Sequence, residues 1–317
     1  METKVYAGRI KDKDILMQSS SGGAFTAISD YFISIKGAVV CTTYDYDTNR
    51  AVFSLIENKS IRDAARGSKY MQSYAGDIFH TAYKWLLEHP ERELLFVGMG
   101  CQADGFRKYA ELKGIRDRVT IVDIICHGVA SPQIWKEYAD KYSKLEFLSF
   151  KDKRLGWYHP TPIAVMDGEE ISISDYVKVF YTANPLRLSC YECPFTNTSR
   201  KTDITIGDFW HIEKIMPEFY DPNGTSVFLI HSPKGQAVFD HIRGNILYRE
   251  SDVSSCWQEN LEKPTGRPSS REAFWKYYRI NGIKKTIVKY SKDPLSIKIR
   301  YIKNDIKSKI KRIIRGI

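Results

Sequence analysis

At 317 residues, with 43% hydrophobic and 27% charged side chains, the chain has the composition of a folded protein and excludes disordered, collagen-like and low-complexity classes. No run approaches the ~20 apolar residues of a membrane span, and the opening residues carry no apolar signal core, so a cytoplasmic protein is expected. The net charge of +10 belongs to the end: residues 284–317 hold 12 Lys and Arg against 2 Asp and Glu, leaving 36 of each sign elsewhere.

In chain order, residues 5–10 read as a strand, 22–35 as a helix, 38–43 and 51–56 as strands, and 78–88 as a helix stopped by His89-Pro90. Strand 94–97, helix 102–112, strand 119–125 and helix 132–142 form a βαβα unit, which predicts a parallel sheet with right-handed crossovers. From 148 to 199, Gly156-Trp157, His159-Pro160, Asp167-Gly168 and a cysteine pair break the pattern, so an inserted irregular cap is expected. Strands at 203–207 and 225–230 and a helix at 235–242 complete the body.

After Pro294, the apolar series Leu295, Ile299, Ile302, Ile306, Ile310, Ile313 and Ile317 falls within an arc of roughly 80° at helical pitch, with basic residues on the other faces. Such a helix suits the headgroup layer of an anionic membrane, which makes a peripheral location on the inner face the expectation. The competing reading is an apolar stripe docked on protein. Nucleic acid is not expected as a partner, because after Tyr290 only Tyr301 offers a ring for stacking. The predicted fold class is therefore α/β: a mostly parallel sheet with flanking helices, an irregular cap and a C-terminal basic amphipathic helix. The division expected is a body of residues 1–283 and a tail of 284–317.

The cysteines carry the sharpest chemical signal. Cys101 and Cys126 each follow an apolar strand run, and Cys190-Tyr191-Glu192-Cys193-Pro194 adds a close pair. Ligands at the carboxyl ends of neighbouring parallel strands face one crevice, and a Cys-x-x-Cys turn closes it, a set suited to an iron-sulfur cluster. For the pair alone, zinc, a redox dithiol and a cluster are all open. Cys41 reads as a core filler and Cys256 carries no local signal.

Other motifs are less specific. Ser19-Ser20-Ser21-Gly22-Gly23 opens a helix, and free amides at such an end attract phosphate, although serine caps and glycine turns also serve stability alone. Arg66-Gly67-Ser68-Lys69-Tyr70 offers positive charge for a pyrophosphate or a reduced flavin, and a solvated loop explains it equally well. Cys126-His127-Gly128 sets an ionisable ring beside the crevice, and Phe209-Trp210-His211 ends a strand with two aromatics and an imidazole.

Taken together, these stretches resemble the coenzyme F420 hydrogenase/dehydrogenase beta subunit family over about residues 4–245. The likeness is carried by Ser20-Ser21-Gly22-Gly23, Arg66 to Tyr70, Gly100-Cys101-Gln102, Ile125 to Val129 with Ser131-Pro132, Phe150 to Lys153 with Gly156-Trp157, Ser189 to Cys193, and Ser199-Arg200 with Asp203 to Trp210. The resemblance implies a reductase with FAD and a 4Fe-4S cluster, passing electrons between a one-electron carrier and a two-electron acceptor such as a deazaflavin. It places cluster ligands at Cys101, Cys126, Cys190 and Cys193, and flavin contacts at Ser21, Gly22, Gly23, Ser68 and Lys69. His127 or His211 would manage the accompanying proton. Many relatives begin with a cysteine-rich ferredoxin-like segment that this sequence lacks, so an outside electron donor is implied, either a ferredoxin or a deazaflavin or nicotinamide cofactor. Bacterial relatives accompany surface-polysaccharide biosynthesis genes, which by analogy suggests a role there. Two departures, Gly98-Met99-Gly100-Cys101 for Gly-Thr-Pro-Cys and His211 for a glycine, alter the pocket. The reading from a different class is a non-redox binding or scaffold component of a glycan-assembly complex, and a zinc-stabilised scaffold is the third.

Overall fold

The protein, seen in a computed structural model, is described here over residues 2–141 and 144–292. Eleven strands are present among these residues: β1 (Lys4–Ile10), β2 (Ala38–Asp45), β3 (Arg50–Ile56), β4 (Leu94–Met99), β5 (Val119–Ile124), β6 (Leu145–Asp152), β7 (Thr161–Met166), β8 (Glu169–Ser172), β9 (Ile204–Asp208), β10 (Ser226–Ile230) and β11 (Ile246–Ser251). The helices are α1 (Lys13–Gln18), α2 (Ala24–Ser34), α3 (Lys59–Ala64), α4 (Ile78–Glu88), α5 (Gly100–Leu112), α6 (Pro132–Ala139), α7 (Ser174–Tyr181), α8 (Ile212–Ile215), α9 (Pro233–Ile242) and α10 (Arg271–Tyr290).

Eight strands form the central sheet in the order β11-β1-β10-β9-β5-β4-β2-β3. Its middle is parallel: β2 pairs with β4, β4 with β5, and β5 with β9. Antiparallel strands flank that block, with β3 beside β2 on one side and β10, β1 and β11 beyond β9 on the other. The parallel block is the one the βαβα pattern predicts. The antiparallel flanks follow from connections that lack a crossover helix, such as the four-residue turn between β2 and β3.

The central strands are hydrophobic on both faces, as a sheet covered twice requires. On one face Leu95, Val97, Val122, Ile204 and Ile206 pack under α2 and α9 through Ile28, Phe32 and Phe239. On the other, Leu94, Phe96, Val119 and Ile121 meet Trp85 and Leu86 of α4 and Phe106 of α5. With helices fixed on both faces, the crevice lies at the ends of the strands.

The cap is more regular than its punctuation suggests. Strands β6, β7 and β8 form an antiparallel sheet of their own. Asp167 and Gly168 have φ of 54° and 79°, so this Asp-Gly dipeptide is the tight turn that joins β7 to β8. Phe150 of β6 and Tyr176 of α7 share a core with Trp135 and Tyr138 of α6 and Phe274 and Tyr278 of α10, which attaches the cap to the body. The expected boundary at residue 283 falls inside α10, one residue after a break at Gly282 (φ 72°, ψ 177°). Ile283 and Ile287 beyond that break are buried in the same core. The amphipathic tail helix expected after Pro294 lies outside the described residues, as does Tyr142 at the end of the expected helix 132–142.

Candidate functional site

The in-register parallel pairing of β4 with β5 runs from Leu94 opposite Val119 to Met99 opposite Ile124, so Cys101 and Cys126 leave the same edge of the sheet two residues later. Cys101 lies in the first turn of α5, which is fixed by Gln102: its Oε1 accepts from the Met99 N–H (3.2 Å) and its amide donates to Ser73 Oγ (2.8 Å). The second cysteine pair is brought over by a short backbone ladder. Ala130 bridges antiparallel to Leu186, the Ser131 N–H donates to Pro185 O (3.0 Å), and the Arg187 N–H donates to Val129 O (3.0 Å). The single helical turn Leu188–Glu192 follows, carrying Cys190.

Two glycines permit the close approach. A Cβ on Gly128, whose φ is 131°, would stand 2.8 Å from Leu186 and 3.3 Å from Cys190 Cβ. One on Gly100 would stand 2.8 Å from Phe195, just beyond Cys193. The far side of the loop is held by Arg200, whose guanidinium pairs with the buried Asp123. Asp123 also accepts from the hydroxyls of Thr202 (2.8 Å) and Thr205 (2.5 Å).

The thiols answer to one another. Burial pushes the Cys126 thiol up to about 12, and Cys190, Cys101 and Cys193 add to the shift, while the Gly128 N–H at 3.3 Å opposes it. Burial also raises Cys101, with Cys193 and Cys190 adding to it. In Cys190 burial again leads, with Cys193 adding, and the Val129 and Arg187 backbone groups oppose. The four sulfurs expected from the sequence are thus neighbours. Among the described residues, no three His, Cys, Asp or Glu side chains gather tightly enough to hold one metal ion. A four-iron cluster takes one thiolate at each iron and spreads its ligand sulfurs around a larger body. Cys101 is exposed and the other three thiols are half-buried, and mutual repulsion disfavours several thiolates at once unless a cationic centre replaces the protons. The donor set fits such a cluster in kind and number.

Beside the thiols lies a cavity of about 420 Å³, within the usual range for cofactor pockets. Its floor is the carboxyl ends of β4, β5 and β9; its walls are the loops of Ser19–Ser21 and Arg66–Met71, with Phe180, Tyr181 and Lys151 from the cap. Ser21 lines it while its hydroxyl donates to Thr225 O (3.0 Å). Gly23 lines it at the start of α2. Gly22 stands behind the wall: its N–H donates to Ser226 Oγ (2.9 Å) and its carbonyl accepts from the Ile10 N–H (2.8 Å). Ser68 joins the two loops by donating its N–H to Ser20 Oγ (2.8 Å). Lys69 faces the cavity, but its ammonium meets the carbonyls of Ala65 (2.7 Å), Gly67 (3.0 Å) and Arg66 (3.3 Å), so it shapes its own loop. Burial lowers it to about 8, opposed by the adjacent Cys41.

The two histidines part company. His127 lines this cavity, with its Nδ1 and carbonyl both against Thr265 Oγ1. Its Nε2 is buried without a hydrogen bond, with the Asn260 amide nearby, and burial lowers its pKa. His211 lines an outer recess instead, together with Trp210, Trp257 and Lys263. It holds a left-handed conformation (φ 65°), where its N–H donates to the Tyr158 hydroxyl (3.0 Å).

Stretches that carry the family likeness also meet beside the cavity. Lys151 pairs with Asp208 (2.7 Å), and Asp208 accepts from the Trp157 indole (2.8 Å), whose ring stacks on Trp210 at 5.0 Å. Gln258 donates to Asp208 O (3.0 Å), and with Asn260 it comes from a strap that follows β11. No local pattern in that strap marks it as part of a site.

A parallel-centred α/β sheet with a cavity at the carboxyl ends of its strands is the architecture of proteins that bind their ligands at that edge of the sheet. The chain belongs to the coenzyme F420 hydrogenase/dehydrogenase beta subunit family: residues 5–77 match its N-terminal part and residues 91–255 its C-terminal part. It is thus an oxidoreductase-type protein, of a family associated with subunits of redox enzymes. Its fold is similar to a chain of the xenon-derivatised F420-reducing NiFe hydrogenase complex from Methanosarcina barkeri, with a TM-score of 0.54 at 15% identity, covering 87% of this chain and 92% of that one. No curated protein matches the sequence.

Proposed function

We propose that this protein is a flavin- and 4Fe-4S-dependent oxidoreductase that passes electrons between a one-electron donor, such as a ferredoxin, and a two-electron acceptor. The reading rests on one observation: four thiols from three separate segments are mutual neighbours at the strand ends, directly beside a cofactor-sized cavity. Cys101, Cys126, Cys190 and Cys193 would hold the cluster, and Ser21, Gly23 and Ser68 would contact FAD, with Gly22 and Lys69 shaping the loops. A flavin supplies the conversion between single-electron and hydride chemistry. Among the chain's own groups, His127 is the better candidate to handle a proton, because its side chain lines the cavity and its Nε2 has no hydrogen-bond partner. Lys151, paired with Asp208, lines the same space. His211 would act on whatever enters from the outer recess. By analogy alone, we suggest cytoplasmic work near the membrane in surface-polysaccharide biosynthesis.

The test is Cys101→Ser and Cys193→Ser in protein purified without oxygen. Both variants are expected to lose brown colour, iron, acid-labile sulfide and the dithionite-reducible signal while keeping a native melting transition. Wild type free of iron and sulfide, or variants retaining a full complement of both, would refute the reading.

A further inference from the structure

The outward face of α10 presents exposed Lys276, Arg279, Lys284, Lys285 and Lys289, and exposed Lys292 follows its end. Lys289 lies over the Tyr277 ring at 3.9 Å, and among the described residues no ion pair engages the other five. The nearby acids are already engaged: Glu272 pairs with Arg267 (2.7 Å), and Glu137 accepts from the Tyr278 hydroxyl (2.7 Å). Two bare aliphatic side chains stand in the same ridge, Ile280 at 72% and Val288 at 62% exposure. The break at Gly282 turns the helix so that Ile283, Thr286 and Ile287 enter the core while Lys284, Lys285, Val288 and Lys289 remain outside. This basic ridge sits on a body whose charges otherwise balance. In sequence it continues into residues 293–317, which add eight Lys and Arg against two Asp.

We propose that the outward face of α10 is a docking surface for an anionic lipid bilayer. Phosphate headgroups satisfy unpaired ammonium and guanidinium groups, and isolated exposed aliphatic residues between cations suit insertion at the acyl boundary. A folded acidic partner would complement the charge too, but it would not produce the vesicle binding expected below. Because α10 shares a core with β6 and α7, the docked molecule would hold its cap side towards the membrane. The inference does not depend on the redox reading.

The experiment is co-sedimentation of the full chain with vesicles of phosphatidylcholine alone and of phosphatidylcholine carrying about one-third phosphatidylglycerol. Binding is expected only to the anionic vesicles. Each basic group near such a surface is worth about fivefold in partitioning, so Lys284→Glu/Lys285→Glu should reduce it by roughly 25-fold or more. Ile280→Ser/Val288→Ser should lower the part that survives high salt. Both pairs are exposed, and an unchanged melting transition verifies folding. Absence of binding, equal binding to neutral vesicles, or binding untouched by either pair would overturn the proposal, as would tighter binding to duplex DNA abolished by the same variants.

Discussion

His231 lies between two hydroxyls, Thr3 Oγ1 at 3.1 Å from Nδ1 and Thr205 Oγ1 at 2.8 Å from Nε2. Burial lowers its pKa to about 4, with Asp123 and Asp203 opposing and Arg200 adding. An imidazole with a folded pKa below the unfolded value of 6.5 contributes stability that is complete above pH 6.5 and is lost as pH falls through 4. Urea unfolding at about pH 7 and about pH 4.5 should therefore show a larger drop for the wild type than for His231→Gln, and equal drops would contradict the account. Lys153 is the other buried residue with a defined task. Its ammonium meets the carbonyls of Leu16, Ser21 (2.9 Å) and Asn223, and so holds the serine loop against the loop before β10. Burial, with Lys151 nearby, lowers its pKa to about 7, whereas three carbonyl acceptors favour its charged form. Lys153→Met strands one buried acceptor, the Leu16 carbonyl, at roughly 1–3 kcal/mol, with the half-buried Ser21 and Asn223 carbonyls adding less, so a loss of about 1 kcal/mol or more is expected in denaturant unfolding. A loss under about 1 kcal/mol would mean that these contacts do not form.

At the scale of elements, the decisive contact is the ladder between residues 129–131 and 185–187, because it brings Cys190 over the strand ends from one side while Arg200 holds the loop from the other. Gly128→Ala introduces a Cβ 2.8 Å from Leu186 at a φ of 131°, a conformation costing of order 1–3 kcal/mol for a non-glycine residue. Iron and sulfide per chain are expected to fall together with the melting temperature. Gly168→Ala, in the β7–β8 turn, meets no atom within 4 Å and should cost stability without touching the iron content. A full iron complement in Gly128→Ala would show that the ladder is not what positions Cys190. The sequence foretold one half of this arrangement, since an apolar strand followed by a helix and another apolar strand places Cys101 and Cys126 at one edge. It was silent on the other half, because Val129, Ala130 and Leu186 pair through backbone groups that leave no mark in side-chain type. The cap shows the converse: Asp167-Gly168 is a legible hairpin signal, yet the breakers around it predict an irregular segment where a three-stranded sheet forms.

Across the whole molecule, the cavity is walled by the N-terminal serine loop, the centre of the sheet, the cap and the C-terminal strap. A ligand held there binds only the folded chain, so it stabilises by mass action, about 2.7 kcal/mol at a hundredfold excess over its Kd. Removal of flavin by gentle chaotrope treatment is expected to lower Tm, and re-addition of FAD to restore it. The four walls should also gain hydrogen-exchange protection together. A Tm indifferent to FAD would remove the cavity from the account without touching the thiol site.

By itself the sequence determined the alternation of strand and helix, the parallel block, the strand-end placement of two cysteines and the charge asymmetry of the chain. These follow from hydrophobic period and from the handedness of βαβ connections, both local properties. Only the tertiary structure decided that Lys69 turns inward on its own loop, that Gly22 stands behind the wall, that His211 belongs to an outer recess, and that the strap supplies Gln258 and Asn260. Those outcomes depend on which distant backbone groups remain to be satisfied once the sheet has formed, a condition that no short stretch of sequence contains.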